Sequence, residues 1–287
     1  MRLGQELRVA TAQTQSDHGT FEGFLKDEKL FKYLLADGTW SPKTIDLFTQ
    51  AGKGLPAGTF LDVGANIGLI TIPVAQRNPH LHVVAIEAEP RAFSLLQKNL
   101  AANPVASGQV VCINQAVYRQ TGTVAFELSE DNYGDGRVRQ AGQASEREQL
   151  QESTRQVIEV PAQTLDAMLA TQALALPLLM KADIQGSERF IVEGGSETLR
   201  HTELLVIEFW PYGLRRLGAD PLIFFDQLVA YFDLGCLEGN VPRRADWVAA
   251  AGLRTKIAHF TEHAPSHQGI DLILAKNAFV ERMYTHN

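Results

Sequence analysis

Apolar residues along this chain fall into short continuous runs, separated by segments in which apolar positions recur every three or four residues. The runs TFLDVGA at 59–65, LHVVAIE at 81–87 and LPLLMKAD at 176–183 are typical of strands buried on both faces of a sheet. The intervening segments, such as PRAFSLLQKNLAA at 90–102 and DPLIFFDQLVAYF at 220–232, have the period of amphipathic helices. This alternation predicts an α/β fold with a doubly wound, mostly parallel sheet.

The remaining segments complete this arrangement. GQVVCINQAV at 108–117 is predicted as the third strand, TGTVAFEL at 121–128 as its antiparallel neighbour, and GIDLILAKN at 269–277 as a closing strand. The sequence indicates one domain at 59–287, preceded by a small N-terminal extension at 1–58 that packs on the core and includes a helix from Ser41.

One segment of the predicted domain is strongly polar. Residues 139–156 are rich in Gln, Glu, Arg and Ser and cannot bury an apolar face. We therefore expect this segment to be a mobile insertion or a short solvated helix.

Composition narrows the classes of function. The 287 residues carry a net charge of −7 and have a pI of about 5.6, which argues against nucleic acid as a partner. Cys112 and Cys236 are too few for a disulfide framework. No apolar run has the length of a membrane span, and the first twenty residues contain no apolar segment of a signal peptide. The expectation is a cytoplasmic protein that does not bind membranes.

The turn after the first predicted strand reads DVGANIG at 62–68. Ligands of such sheets bind beyond the carboxyl ends of the strands, where the strand order reverses. A dinucleotide site would require glycines at positions 66 and 69, but Asn66 and Leu69 stand there, and the chain has no P-loop motif. The carboxylate of Asp62 would repel a pyrophosphate. The pattern D-x-G-x-N-x-G therefore favours a zwitterionic amino-acid tail over a diphosphate, with a tight turn that binds no ligand as the alternative.

An acidic residue ends the second predicted strand. Glu87 lies 23 residues after Gly64, close to the spacing at which an acid accepts hydrogen bonds from ribose hydroxyls. The neighbouring Glu89 is interpreted as a cap of the following helix. The turn and Glu87 together favour a cofactor that carries both a nucleoside and an amino-acid tail.

Several blocks together resemble a known family. FLDVGANIG, VVAIEAEPRAFSLLQKNL, LLMKADIQGSERFIVEGGSETL and LLVIEFWPYGL, in this order, resemble the FkbM-type S-adenosylmethionine-dependent methyltransferases over about residues 45–275. The resemblance implies a Rossmann-like sheet with a terminal antiparallel strand, and methyl transfer that usually goes to a hydroxyl group. In one departure from the family pattern, Gln185 stands where Glu is often found.

The resemblance also implies a set of cofactor-binding residues. Four residues of the turn would line the methionine end, one acid would hold the ribose and two residues after the third strand would flank the adenine. In that order they are Asp62, Gly64, Asn66 and Gly68, then Glu87, then Gln115 and Ala116.

Charged residues at the ends of the fourth and fifth strands are the catalytic candidates. Lys181 and Asp183 are two apart on one strand and point to the same side, and Glu208 ends the neighbouring strand. The two carboxylates could activate an acceptor hydroxyl with Lys181 nearby, or bind one divalent metal. The metal is the less favoured alternative, and no residue is assigned to it. Glu188 is interpreted as a charge at a helix start.

The segment after the fifth strand supplies candidates for substrate binding. Trp210, Tyr212 and Arg215 form an aromatic and basic cluster that suits a sugar ring or an anionic group, with core packing of Trp210 as the alternative. His259, His263 and His267 have four-residue spacing, but Pro265 interrupts any helix that would align them for a metal.

The sequence as a whole predicts an S-adenosylmethionine-dependent methyltransferase that O-methylates a small molecule or a glycan. Two alternatives remain open at this point: a nicotinamide-dependent oxidoreductase on the same fold, and a binding protein that has lost turnover. The sequence identifies neither the acceptor nor the oligomeric state.

Overall fold

The computed structural model describes residues 10–139, 155–237 and 241–285. The predicted polar insertion at 139–156 lies outside the described residues except for its two ends. Fourteen strands occur in the described part of the chain. They are β1 Thr11–Ser16, β2 Gly19–Phe24, β3 Thr59–Val63, β4 His82–Ile86, β5 Val110–Ile113, β6 Ala116–Val117, β7 Gly122–Glu127, β8 Arg137–Val138, β9 Val157–Gln163, β10 Leu178–Ala182, β11 Thr202–Phe209, β12 Leu234–Leu237, β13 Val248–Ala249 and β14 Ile270–Ala275.

Eight of these strands form the central sheet, in the order β13-β12-β14-β11-β10-β3-β4-β5. The run from β11 to β5 is parallel throughout. The last strand of the chain, β14, is antiparallel to both of its neighbours, β11 and β12. The prediction of a doubly wound, mostly parallel sheet with a terminal antiparallel strand is confirmed. The chain order reverses between β3 and β10, so the carboxyl ends of these strands form the crevice in which ligands of such sheets bind.

The described part of the chain contains eleven α-helices, most of which pack on the two faces of this sheet. They are α1 Leu30–Asp37, α2 Pro42–Lys53, α3 Thr71–Arg77, α4 Pro90–Ala102, α5 Leu165–Leu169, α6 Arg189–Gly194, α7 Ser196–His201, α8 Pro211–Arg216, α9 Pro221–Val229, α10 Arg254–His263 and α11 Asn277–Thr285. Alternate residues of β3 enter opposite cores: Phe60 joins the cluster with α2, and Leu61 joins the cluster with α9. Burial on both faces explains why the strands are continuously apolar.

A second sheet, in the order β6-β9-β7-β8, corrects one prediction. The segment TGTVAFEL was expected to pair with the third strand, but its strand β7 pairs with β9 and β8 instead. The third strand ends at Ile113, because Asn114 donates a hydrogen bond to the backbone oxygen of Glu87 at 2.7 Å and the chain leaves the central sheet there. Val124 and Phe126 of β7 still pack into the main core.

The N-terminal residues pack beside α3 and α4. Phe21, Phe24 and Phe31 share a buried cluster with Leu69 and Leu95. The amide side chains of α4 hold β2: the Asn99 Oδ1 accepts from the Glu22 N–H at 2.7 Å. This attachment brings α1 and the start of α2 to the crevice at the strand ends. No helix in the described ranges is long and apolar enough to cross a membrane.

Candidate active site

A cavity of about 490 Å³ opens at the carboxyl ends of β3, β4, β10 and β11. Its size is within the range of small-molecule and cofactor sites. Its walls come from the loops after these strands, from residues 132–138 and from the N-terminal segment. Of the predicted site residues it is lined by Asp62, Gly64, Asn66, Glu87, Gln115, Ala116, Lys181, Asp183 and Glu208. The fold therefore brings together residues that are up to 146 positions apart in the chain.

The turn after β3 has backbone angles that most residues other than glycine adopt only with strain. Gly64 has φ 84°, Asn66 φ 49° and Gly68 φ 92°. A Cβ on Gly64 would lie 1.9 Å from the backbone oxygen of Asp183, so the chain after β10 crosses directly over this glycine. The helix α3 was predicted to begin at residue 67 but begins at Thr71, because Gly68, with its left-handed φ, lies in what would have been the first turn.

Glu87 connects the turn to the end of β4. Its Oε2 accepts a hydrogen bond from the Asn66 N–H at 2.7 Å, and its Oε1 accepts one from the Glu89 N–H at 2.7 Å. Each carboxylate oxygen retains a second lone pair, and Glu87 lines the cavity. Burial raises the pKa of Glu87 to about 7, against the two backbone hydrogen bonds that lower it. The Glu89 side chain caps α4 as predicted, since it accepts from the N–H groups of Arg91 and Ala92.

Asp62 and Lys181 form a buried pair beneath the turn. The Oδ2 of Asp62 accepts from the Thr71 hydroxyl at 2.6 Å, and its Oδ1 lies 3.6 Å from the Lys181 Nζ without a hydrogen-bond partner among the described residues. Lys181 Nζ donates to the Gly64 oxygen at 2.9 Å. Burial lowers the pKa of Lys181, but the carboxylates of Asp62 and Asp183 outweigh this effect and raise it overall.

Three carboxylates meet at the ends of β10 and β11. One oxygen each from Asp183, Glu188 and Glu208 lies within 4.8 Å of the other two. The Gln185 Nε2 donates to Asp183 at 2.7 Å and to Glu208 at 3.2 Å, which bridges the two acids. Burial, followed by the charges of Asp183 and Glu188, raises the pKa of Glu208 well above its usual value. Lys181 Nζ lies 3.9 Å from Asp183 Oδ2.

Sequence reasoning missed the part of Glu188 in this site. It was interpreted as an ordinary charge at a helix start, but its side chain is completely buried and accepts a hydrogen bond from the Ile184 N–H at 2.7 Å. Burial raises the pKa of Glu188 above its usual value. No pattern in the sequence distinguishes an exposed first helical turn from one that faces a neighbouring strand end.

The predicted substrate residues do not reach the cavity. Among the described residues that line it, Trp210, Tyr212 and Arg215 are absent. Trp210 is buried and donates from its indole to the Ser266 oxygen at 2.6 Å, and Arg215 bonds the Thr261 oxygen at 3.0 Å. The burial of Trp210 favours the core-packing alternative.

Another part of the cavity wall comes from the N-terminal segment, which the sequence analysis expected to pack on the core. Lys29, Tyr33, Trp40, Ser41 and Thr44 line the cavity there. The rings of Tyr33 and Trp40 are 6.5 Å apart, and about half of the Tyr33 surface is exposed. Tyr33 and Trp40 thus line the cavity, whereas Trp210 and Tyr212 are not among its lining residues.

Comparison with known proteins identifies the family of the chain. The family described as "Methyltransferase FkbM domain" matches residues 62–232. Methyltransferase sdnD of Sordaria araneosa is 27% identical over 187 residues, which cover 56% of this chain and 70% of that protein.

Two solved structures of O-methyltransferases are also similar. The structure of TomG from Streptomyces achromogenes, in complex with SAM, is 13% identical in sequence and has a TM-score of 0.44. The match covers 83% of this chain and 82% of the TomG chain. The structure of the O-methyltransferase from Bacillus cereus, in complex with SAH, is 10% identical and also has a TM-score of 0.44. The match covers 86% of this chain and 88% of the Bacillus cereus chain. At these values the superpositions say nothing about the acceptor.

The family match includes the turn after β3, Glu87 and the strand-end residues Lys181, Asp183 and Glu208. The family match gives no support to the alternative of a nicotinamide-dependent oxidoreductase. The chain belongs to the FkbM methyltransferase domain family and is an S-adenosylmethionine-dependent methyltransferase.

Proposed function

We propose that this protein transfers a methyl group from S-adenosylmethionine to a hydroxyl group of a small molecule or a glycan. The observation that carries the proposal is that one cavity is lined by two chemically different groups of residues, and Lys181 contacts both groups. We call the part lined by the turn and Glu87 the first end, and the part lined by the carboxylates of Asp183 and Glu208 the second end. The first end suits the cofactor, and the second suits an acceptor that must lose a proton.

The residues at the first end fit the cofactor. Glu87 has free lone pairs for the ribose hydroxyls, since its two backbone hydrogen bonds hold the carboxylate in place without using its full capacity. Asp62 has one oxygen without a hydrogen-bond partner among the described residues, which suits the ammonium group of the methionine tail. Gln115 and Ala116 would flank the adenine, and Gly64 and Gly68 would form the turn around the tail.

The residues at the second end would prepare the acceptor. S-adenosylmethionine supplies, when bound, a methyl group on a positively charged sulfur. Asp183 is the exposed member of the acidic group, with 41% of its side-chain surface accessible. The Asp183 carboxylate would accept the hydrogen bond and then the proton of the acceptor hydroxyl, while Lys181 and Gln185 hold this carboxylate in place. Proton acceptance of this kind typically contributes 10²–10⁴-fold to a rate.

The acceptor would lie between this acidic end and the N-terminal wall. Residues 1–58 would act as an extension that completes the cavity of a methyltransferase domain at 59–287. The rings of Tyr33 and Trp40 offer an apolar surface of the kind on which sugar or aromatic rings stack. Such a wall beside a cluster of carboxylates favours a ring that carries hydroxyl groups.

The proposal is tested with S-adenosylmethionine and a panel of hydroxylated rings and oligosaccharides, with mass spectrometry of the products. The Asp183→Asn variant should bind S-adenosylhomocysteine within about threefold of the wild type but lose about 10²–10⁴-fold in turnover. The matched control is Asp226→Asn, because Asp226 is an exposed acid that pairs with Arg254 away from the cavity. Methyl transfer only to nitrogen, sulfur or carbon, or full turnover by Asp183→Asn, would contradict the proposal.

A further inference from the structure

One oxygen in the acidic group has no hydrogen-bond partner in the part of the chain that the structure describes. Glu188 is completely buried, and its Oε1 accepts the Ile184 N–H, but its Oε2 has no hydrogen-bond partner among the described residues. An unpaired buried carboxylate oxygen is costly because it has lost water without a replacement. The Glu188 carboxylate lies beside those of Asp183 and Glu208, and one oxygen from each of the three acids is close to the other two.

The three carboxylates are close enough to share a single cation. One oxygen from each lies within 4.8 Å of the other two. Oxygens that bind one cation at about 2.1–2.4 Å are at most about 4–5 Å apart, which is the range for Mg²⁺, Mn²⁺ and Ca²⁺. Carboxylate and carbonyl oxygens are also the ligands that these cations prefer.

The three carboxylates of the group repel one another when they are ionised. Lys181 lies 3.9 Å from Asp183, but its ammonium group is also engaged with Gly64 and Asp62. A divalent cation between Asp183, Glu188 and Glu208 would offset this repulsion.

Gln185 provides a further oxygen at the same place. Its amide bridges Asp183 and Glu208 through the nitrogen. Rotation of the amide by a half turn would put its carbonyl oxygen where the nitrogen now lies. Three carboxylates and one amide oxygen then face one point, and water or the acceptor would complete the coordination.

We propose that Asp183, Glu188 and Glu208 together bind one divalent cation, Mg²⁺ or Mn²⁺, at the acceptor end of the cavity. The inference rests on the proposed function for its role: a bound cation would orient the acceptor oxygen and favour loss of its proton. Asp183 can serve both purposes, since one of its oxygens binds the cation while the other faces the hydroxyl.

The test is a titration of the full chain with MnCl₂, in which bound Mn²⁺ is measured by electron paramagnetic resonance. We expect one equivalent per chain, and at least tenfold weaker binding in Glu188→Gln. Glu193→Gln is the matched control, because Glu193 is a nearby acid that pairs with Arg189 at the surface of α6. If Glu188→Gln does not fold, Glu208→Gln provides the same comparison. The folding of each variant is checked by S-adenosylhomocysteine binding.

No Mn²⁺ binding, or equal Mn²⁺ binding by the wild type, Glu188→Gln and Glu208→Gln, would overturn the inference. The outcome is separable from that of the proposed function. A chain that binds S-adenosylhomocysteine and methylates a hydroxyl in excess EDTA retains the proposed function and loses the metal site.

Discussion

Replacement of Glu87 by Ala perturbs the proposed ribose contact most directly. The wild-type carboxylate is 7% exposed and accepts two backbone N–H groups at 2.7 Å, from Asn66 and Glu89. The variant loses both hydrogen bonds and those proposed to the ribose hydroxyls. Loss of a buried hydrogen-bonding partner costs about 1–3 kcal/mol, which corresponds to about 5- to 150-fold weaker binding of S-adenosylhomocysteine.

Isothermal titration calorimetry with S-adenosylhomocysteine measures this loss. The matched control is Asp220→Ala, because Asp220 also accepts two backbone N–H groups at a helix start, those of Leu222 and Ile223, but lies outside the cavity. The control should lose about 1 kcal/mol of stability and keep its affinity. Unchanged affinity in Glu87→Ala, or an equal loss in both variants, would refute the assignment of Glu87 to the ribose.

The pH dependence gives a second measurement on the same residue. The pKa of Glu87 is about 7 in the folded protein and about 4.5 without burial. Between these values the folded state holds a proton that the unfolded state has released, so the contribution of Glu87 to stability falls as the pH rises through this window. Cofactor affinity has the opposite sign, because the ionised carboxylate accepts the ribose hydroxyls. If only the ionised form of Glu87 binds the cofactor, the affinity for S-adenosylhomocysteine rises about tenfold from pH 6 to pH 8. The Glu87→Ala variant should lose this rise.

Three further substitutions test the backbone and side-chain contacts that support the cavity walls. Gly64→Ala places a methyl group 1.9 Å from a backbone oxygen, at a residue with φ 84°. We therefore expect the free energy of unfolding, measured by thermal unfolding, to fall by well over about 1 kcal/mol, and S-adenosylhomocysteine binding to be lost. Binding equal to that of the wild type would contradict the steric argument. Thr71→Val removes the 2.6 Å hydrogen bond to Asp62 and should cost about 1–3 kcal/mol in urea unfolding, whereas a neutral effect would show that this bond is dispensable. Arg137→Met removes the guanidinium group that lies 3.2 Å from the buried carboxylate of Glu127. The free energy of unfolding in urea should fall by up to about 3–5 kcal/mol. A decrease below about 1 kcal/mol would show that other groups compensate for the lost charge.

The parts of the site that follow from local chain geometry could be predicted from the sequence. Strand ends in a parallel sheet meet at one edge, so Glu87, Asp183 and Glu208 were expected together, and they line one cavity. The glycine spacing identified the turn because few residues accept the positive φ angles that Gly64 and Gly68 adopt.

The parts that depend on contacts distant in the chain could not be predicted. The pairing of β7 with β9 joins strands on either side of the polar insertion, and nothing local specifies it. The direction of the Trp210 ring depends on the Ser266 oxygen, 56 positions away. The burial of Glu188 likewise follows from packing at the ends of β10 and β11, because the residue type and the helix-start pattern are compatible with exposure.

The central claim is that the crevice after β3 and β4 binds S-adenosylmethionine with its ribose on Glu87. A crystal structure with S-adenosylhomocysteine tests it most directly. We expect the two ribose hydroxyls within about 2.5–3.0 Å of the Glu87 oxygens, the amino-acid tail at the turn around Gly64 and the sulfur directed toward Asp183. A ribose bound elsewhere in the cavity, or a ligand with its tail at Glu87 and its adenine at Gly64, would contradict the account.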